Sequence, residues 1–85
     1  MERTIIAREL LAAALGSVTE KKIKGTSLDP KKTLGDFGID SLMKIELLLD
    51  IEERMGGKDI EKPFMKAQSI GELIEIIKNG RLSAD

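Results

Sequence analysis

The segment 40–55 restricts the fold of this sequence more than any other part. It begins with Asp40 and Ser41, either of which is a natural N-cap, because its side-chain oxygen can accept a hydrogen bond from an otherwise unpaired N–H. Strong helix formers follow for about four turns, and Gly56 and Gly57 end the run. The segment therefore predicts an amphipathic helix, which needs other parts of the chain to cover its apolar face.

The predicted helix has a clear core face. At helical spacing, four apolar residues fall on one arc, with Ile45 at its margin. They are Leu47, Leu48, Ile51 and Met55.

The opposite side of this helix carries an acidic ridge, formed by Glu46, Asp50 and Glu53. Like charges four residues apart cost a helix about 0.2–0.5 kcal/mol per pair, so stability does not explain the ridge, although Arg54 offsets part of the repulsion. Three apolar residues border the ridge and are predicted to point away from the core: Leu42, Met43 and Leu49. We interpret this side as a docking surface, and the alternative is a solvated face with scattered leucines.

Ser41 lies at the positive end of the helix dipole, beside unpaired N–H groups, where a phosphate binds readily. The simpler interpretation is that Ser41 is only a cap. The sequence contains no His and no Cys, so a Ser-His-Asp or Cys-His arrangement cannot form. If Ser41 carries chemistry, another enzyme must act on it.

Composition indicates one small all-α domain over residues 1–85. Hydrophobic residues make up 41% of the sequence and aromatic residues only 2%, so the core must be aliphatic. The absence of Cys rules out disulfides and favours the reducing cytoplasm. No apolar run approaches the roughly 20 residues of a membrane span, and no signal-peptide pattern begins the chain. Residues 81–85 are predicted to form a flexible tail.

Two further helices are predicted. The first runs from about Thr4 to Leu15 and ends at Gly16. Its predicted buried stripe is Ile6, Leu10, Leu11, Ala14 and Leu15. The last helix starts with a capping box at Ser69 and Glu72 and ends at Gly80. Its predicted core residues are Ile70, Leu73, Ile74 and Ile77.

The long connection from Gly16 to Asp40 is predicted to be functional or partly ordered. Three apolar residues are spaced to attach it to the core, and they are Leu28, Leu34 and Phe37. Asp29 and Pro30 indicate a turn. The connection is rich in lysine, but it lacks interleaved aromatic residues and any nucleic-acid-binding motif, so we predict a solvated loop and no nucleic-acid partner. Neither a kinase motif nor a calcium loop fits around Asp36, and no metal site is predicted.

The residues from Leu34-Gly35 to Asp40-Ser41-Leu42, followed by Glu46-Leu47, resemble the phosphopantetheine attachment region of acyl carrier proteins. The resemblance covers nearly the whole chain. It implies a bundle of three main helices with a short extra helix and a long first loop. Because Pro63 is tolerated only in a first turn, the short helix is expected near Lys62, with inward residues Ile60, Phe64 and Met65.

The resemblance also implies a function. A phosphopantetheinyl transferase would link 4′-phosphopantetheine from coenzyme A to Ser41, and acyl groups would then travel as thioesters in fatty acid, polyketide or specialised lipid synthesis. The chain would be a monomeric shuttle without catalytic residues of its own. Basic patches on acyl-transferring and acyl-modifying enzymes would meet the docking surface. Its predicted contact residues are Asp36, Asp40, Leu42, Met43, Glu46, Leu49, Asp50 and Glu53.

One alternative from another class remains open. The chain could be a helical interaction adaptor with an unmodified Ser41. That interpretation explains the bundle and the acidic ridge equally well, but it leaves Asp40-Ser41-Leu42 and the upstream Leu34-Gly35 unexplained. An enzyme is the least favoured class, because the sequence offers no catalytic base, nucleophile pair or metal cluster.

Overall fold

Four α-helices form the computed structural model, which describes residues 3–82 and contains no strand in that range. The helices are α1 (Arg3–Thr19), α2 (Ser41–Arg54), α3 (Glu61–Lys66) and α4 (Ile70–Leu82). α1 packs against both α2 and α4, and the short α3 contacts α4. The predicted all-α fold, with three main helices, one short helix and a long first loop, is confirmed.

The core is aliphatic except for Phe64, and no polar or charged residue is buried in the described range. The predicted core residues of α4 are all buried, and those of α2 are buried except Met55, which is partly buried. In α1, Ala7 and Ala12 are buried, whereas Ile6 and Leu10 are only partly buried. Ile6 and Leu10 were predicted to be buried, so the buried stripe of α1 is rotated relative to the prediction.

The end predicted for α1 at Gly16 is wrong, because the helix continues to Thr19. The Lys21 N–H donates a hydrogen bond of 3.2 Å to the Gly16 carbonyl, and Glu20 adopts a left-handed conformation with φ of 60°. This is a Schellman motif with Glu20 in the position that glycine usually takes. Gly16 lies inside the motif, where an added Cβ would come within 2.7 Å of the Lys21 carbonyl oxygen.

The long loop contains two 3₁₀ turns, at Gly25–Ser27 and Gly35–Phe37. As predicted, three apolar residues attach it to the core: Leu28 is buried, and Leu34 and Phe37 are partly buried against it. The Arg8 side chain of α1 donates hydrogen bonds to the carbonyl oxygens of Gly25, at 3.1 Å, and of Leu28. These hydrogen bonds between Arg8 and the loop were not predicted from the sequence.

The loop also meets the start of α4. The Ile70 N–H donates to the Lys32 carbonyl at 2.7 Å, and the Gly71 N–H donates to the Pro30 carbonyl at 3.0 Å. These bonds satisfy two amides that the helix itself leaves unpaired. The loop is therefore hydrogen-bonded to α1 and to the start of α4 before it reaches α2.

The short helix α3 has Pro63 in its first turn, as predicted. Ile60 and Phe64 are buried, but Met65 is 44% exposed, so the prediction that Met65 points inward is wrong. A helix this short has only one buried face, and the fully buried Phe64 occupies it.

α4 continues to Leu82, so its predicted end at Gly80 is wrong. An added Cβ at Gly80 would lie 2.6 Å from the Met55 Cε atom, so a small residue at this position leaves room for the Met55 side chain. The predicted tail, residues 81–85, therefore begins inside the helix. Its residues 83–85 lie outside the described range.

Candidate functional site

A chain of local contacts brings the loop to the start of α2. The Asp36 N–H donates to Thr33 Oγ1 at 3.3 Å, and the Thr33 N–H donates to Asp36 Oδ2 at 2.9 Å. This reciprocal pair holds the 3₁₀ turn Gly35–Phe37, which ends at Gly38 with φ of 80°. That conformation costs a non-glycine residue about 1–2 kcal/mol. The next residue, Ile39, is buried and anchors the chain at a fixed point before α2.

Asp40, and not Ser41, caps α2. The Met43 N–H donates to Asp40 Oδ1 at 2.8 Å, and the Lys44 N–H donates to the Asp40 carbonyl at 2.8 Å. Ser41 is exposed, and its hydroxyl has no hydrogen-bond partner within residues 3–82. Of the two caps that the sequence allowed, the structure selects Asp40, and the Ser41 hydroxyl is left accessible to another molecule.

Ser69 provides an internal comparison, because it also precedes a helix. The Glu72 N–H donates to Ser69 Oγ at 3.2 Å, so this serine is the cap that the sequence predicted. The Gln68 N–H donates to Glu72 Oε1 at 2.8 Å, one residue before the N-cap that the usual capping box would engage. The Ser69 hydroxyl is therefore used within the fold, whereas that of Ser41 is not.

The first turn of α2 can hold an anion. The N–H groups of Ser41 and Leu42 have no acceptor in the described part of the chain. Together with the helix dipole, such N–H groups favour a negative charge at this end of the helix. A phosphodiester on Ser41 Oγ would lie beside them, so the residues present fit a phosphate-linked group.

A cleft of about 400 Å³ opens beside Ser41. Its walls come from the end of the long loop, the first turn of α2, and the segment 67–69 that leads into α4. Its charged lining residues are Asp40 and Lys44. The Lys44 ammonium also lies over the Phe64 ring, 6.0 Å from its centroid, and the Lys44 side chain is half-buried. Lys44 was not among the site residues predicted from the sequence.

The predicted docking surface is largely exposed. Leu42 is 71% exposed and Leu49 is 60% exposed, and Glu46 and Glu53 are exposed beside them. Ile45, which the sequence placed at the margin of the core face, is 42% exposed. It lies three residues after Leu42 and four before Leu49, so these three side chains form a continuous apolar stripe.

Besides Asp36 and Asp40, two residues of the predicted docking surface are engaged within the fold, Met43 and Asp50. Met43 is partly buried and packs against the core, so the prediction that it points away from the core is wrong. The Asp50 carboxylate pairs with the Arg54 guanidinium at 3.0 Å, as the sequence suggested. The structure therefore leaves Glu46 and Glu53 as the acidic residues of the ridge without a cationic partner among the described residues.

Asp36 is exposed, and its ionised form is stabilised by hydrogen bonds. Hydrogen bonds from the Thr33 N–H, and then from the Thr33 hydroxyl, lower the pKa of Asp36 below its ordinary value of 3.8, with a smaller contribution from the Lys32 charge. The residue is therefore ionised at neutral pH, within the loop that leads to Ser41.

Other kinds of site find no support within residues 3–82. No group of three or more His, Cys, Asp and Glu residues in that range could hold a metal ion. No described helix combines the length and the apolar composition that a membrane span requires.

Comparison with known proteins identifies the family of the chain. A family model described as the phosphopantetheine attachment site matches residues 7–77. A search of curated proteins and a search of solved structures each found no match. The matched region includes the whole of α2 and the cleft beside it. In this family, the domain is the place of covalent 4′-phosphopantetheine attachment. The chain therefore belongs to the phosphopantetheine attachment-site family, and it is a phosphopantetheine-carrying carrier protein.

Proposed function

We propose that Ser41 is the attachment residue and that the chain is an acyl carrier in fatty acid, polyketide or specialised lipid synthesis. The observation that carries this proposal is the exposed Ser41 hydroxyl, which has no hydrogen-bond partner in the described range although it lies at the start of a helix. Asp40 already serves as the cap, so attaching a group to Ser41 Oγ does not cost the helix its capping bond.

The residues around Ser41 stabilise the charge of the attached group and fix its point of attachment. The unpaired N–H groups of Ser41 and Leu42 and the helix dipole favour the phosphodiester charge. The anchored Ile39 and the tied loop keep this end of α2 in place, so a partner enzyme meets the same geometry each time. When bound, 4′-phosphopantetheine supplies a terminal thiol that carries an acyl group as a thioester.

The docking surface is where partner enzymes would bind. Carrier domains interact with phosphopantetheinyl transferases and with acyl-handling enzymes. We assign their contact to the apolar stripe of Leu42, Ile45 and Leu49 and to the exposed acids Glu46 and Glu53. Acidic side chains speed the encounter with basic patches, and a small apolar contact lets the complex dissociate, which a shuttle needs.

The other predicted contact residues have supporting roles in this proposal. Asp40 presents negative charge next to Ser41, although its carboxylate also caps α2, and Asp36 adds a negative charge in the preceding 3₁₀ turn. Met43 packs against the core and not on the docking surface itself. The Asp50 carboxylate is part of this surface as an ion pair with Arg54. The chain itself would catalyse nothing, would act as a monomer, and would work in the cytoplasm, the last of these being a prediction from the absence of Cys.

The alternative function is an interaction adaptor with an unmodified Ser41. The exposed apolar stripe on α2 is the observation that favours it, since such a stripe suits any protein partner. The two functions differ in whether a group becomes covalently attached to the Ser41 hydroxyl.

Intact mass spectrometry distinguishes them. The apo protein is incubated with coenzyme A, Mg²⁺ and a phosphopantetheinyl transferase of broad specificity, and a known carrier protein serves as the positive control for the transferase. The proposal predicts a single 4′-phosphopantetheine adduct on the wild-type chain and none on Ser41→Ala. An unchanged wild-type mass beside a fully loaded control would favour the adaptor.

A further inference from the structure

Lys44 is the cationic residue that lines the cleft beside Ser41. It lies three residues after Ser41 on α2, and side chains at this spacing are neighbours on one helix face. Lys44 has no carboxylate partner within residues 3–82, and its ammonium contacts only the Phe64 ring there, 6.0 Å from the centroid.

The other charged residue of the cleft lining is Asp40. A phosphodiester on Ser41 would place a second negative charge directly beside this carboxylate, and like charges in proximity repel. The N–H groups of the first turn offset part of that repulsion, but one of them, the Met43 N–H, is already taken by Asp40. A cation on the cleft side of Ser41 would offset the rest and would also attract the phosphodiester to that side.

We infer that the Lys44 ammonium pairs with the phosphodiester on Ser41 and turns the attached arm toward the cleft, away from the docking surface. This inference rests on the proposed attachment at Ser41. The ring of Phe64 attracts a cation only through its quadrupole, whereas a phosphodiester offers a full charge and hydrogen-bond acceptors. The flexible lysine stem lets the ammonium leave the ring for the phosphate while its methylene groups still cover Phe64.

The ³¹P NMR resonance of the phosphodiester tests this inference, because it reports the surroundings of the phosphate and not the stability of the fold. The loaded wild-type protein is compared with loaded Lys44→Arg, which keeps the charge, and with loaded Lys44→Met, which keeps a chain long enough to cover Phe64. Lys66→Met, at an exposed lysine of α3 that does not line this cleft, is the matched control.

We expect wild type, Lys44→Arg and Lys66→Met to share one ³¹P position at low salt, and Lys44→Met to be shifted from it. Raising the salt from about 0.01 M to about 1 M shortens the Debye length from about 30 Å to about 3 Å. The wild-type resonance should then move toward that of Lys44→Met. If Lys44→Met perturbs the fold, Lys44→Gln repeats the comparison.

A ³¹P position that is the same in all variants at both salt concentrations would overturn the inference and leave Lys44 as a cover for Phe64. That result differs from failure of the proposed attachment. If Ser41 accepts no 4′-phosphopantetheine from a competent transferase, no ³¹P resonance appears in any variant, and both the proposed function and this inference are wrong.

Discussion

The Oδ1 atom of Asp40 accepts a hydrogen bond of 2.8 Å from the Met43 N–H, and this contact assigns helix capping to Asp40. The neighbouring Ser41 hydroxyl is therefore not needed as the cap of α2. At the start of α2, the Asp40 side chain stabilises the helix, and the Ser41 side chain is exposed.

Replacing Asp40 by Ala should lower the free energy of unfolding by about 1 kcal/mol, because removing an N-cap costs roughly 0.5–2 kcal/mol. Asp40→Asn should retain most of the stability, since Asn caps helices about as well. Ser41→Ala should change stability by no more than about 0.5 kcal/mol, as an exposed residue without structural contacts would. Urea denaturation of the apo proteins measures all three. If Ser41→Ala lowers the free energy of unfolding as much as Asp40→Ala does, Ser41 and not Asp40 is the cap.

The end of α1 yields a prediction of increased stability. Glu20 has φ of 60°, which costs a residue with a side chain about 1–2 kcal/mol and costs glycine almost nothing. Glu20→Gly should therefore raise the free energy of unfolding by up to about 1 kcal/mol, after the larger entropy of glycine in the unfolded chain is subtracted. Glu20→Ala is the control, because it removes the charge and keeps the Cβ. Equal stability of the two variants would mean that backbone strain is not the cause.

Asp36 gives a prediction about pH. Its folded-state pKa is lowered by the Thr33 hydrogen bonds, so its contribution to stability is full above the ordinary value of 3.8 and is lost as the pH falls through the folded-state pKa. An NMR titration of the Asp36 carboxyl carbon should show a midpoint below 3.8 in the folded protein. Thr33→Val removes the hydroxyl bond and keeps the N–H bond, and it should raise the midpoint. A midpoint in Thr33→Val equal to that of wild type would exclude the hydroxyl as a cause.

Two neighbouring leucines of α2, Leu48 and Leu49, differ in exposure, so substituting each one tests docking separately from the stability of the fold. Leu49 is 60% exposed, so Leu49→Ala should change the free energy of unfolding by no more than about 0.5 kcal/mol and should slow loading by the transferase. Leu48 is 4% exposed, and Leu48→Ala should cost about 2–5 kcal/mol. Denaturation and loading rates are measured on both variants. A loading rate for Leu49→Ala equal to that of wild type would remove this residue from the docking surface.

Much of the helical scaffold follows from local sequence. In α2, helix formers between a capping residue and a glycine pair are sufficient to locate both ends, and in α4 the apolar spacing identifies the buried residues correctly. The unpaired N–H groups beside Ser41, predicted from its place at the helix start, are also found within residues 3–82. These features depend on helix periodicity and end signals, which a sequence shows directly.

The errors occur where a contact made outside the helix's own apolar pattern decides the outcome. Gly16 resembles a helix end, but the approach of the Lys21 carbonyl explains why glycine is needed there. Gly80 also resembles a helix end, and its small size instead makes room for Met55. Periodicity also assigned Met43 to the outside, because the sequence of one helix does not show which other parts of the chain pack against it. For the same reason, the sequence does not show that Lys44 lines the cleft.

The most direct test of the account is to locate the attached group on the chain. After loading with coenzyme A, the wild-type protein is digested and the modified peptide is fragmented, alongside Ser41→Ala and Ser69→Ala. The account predicts one modified residue, Ser41, in wild type and in Ser69→Ala, and no modification in Ser41→Ala. A group on any other serine, or a Ser41→Ala protein that still accepts one, would contradict it.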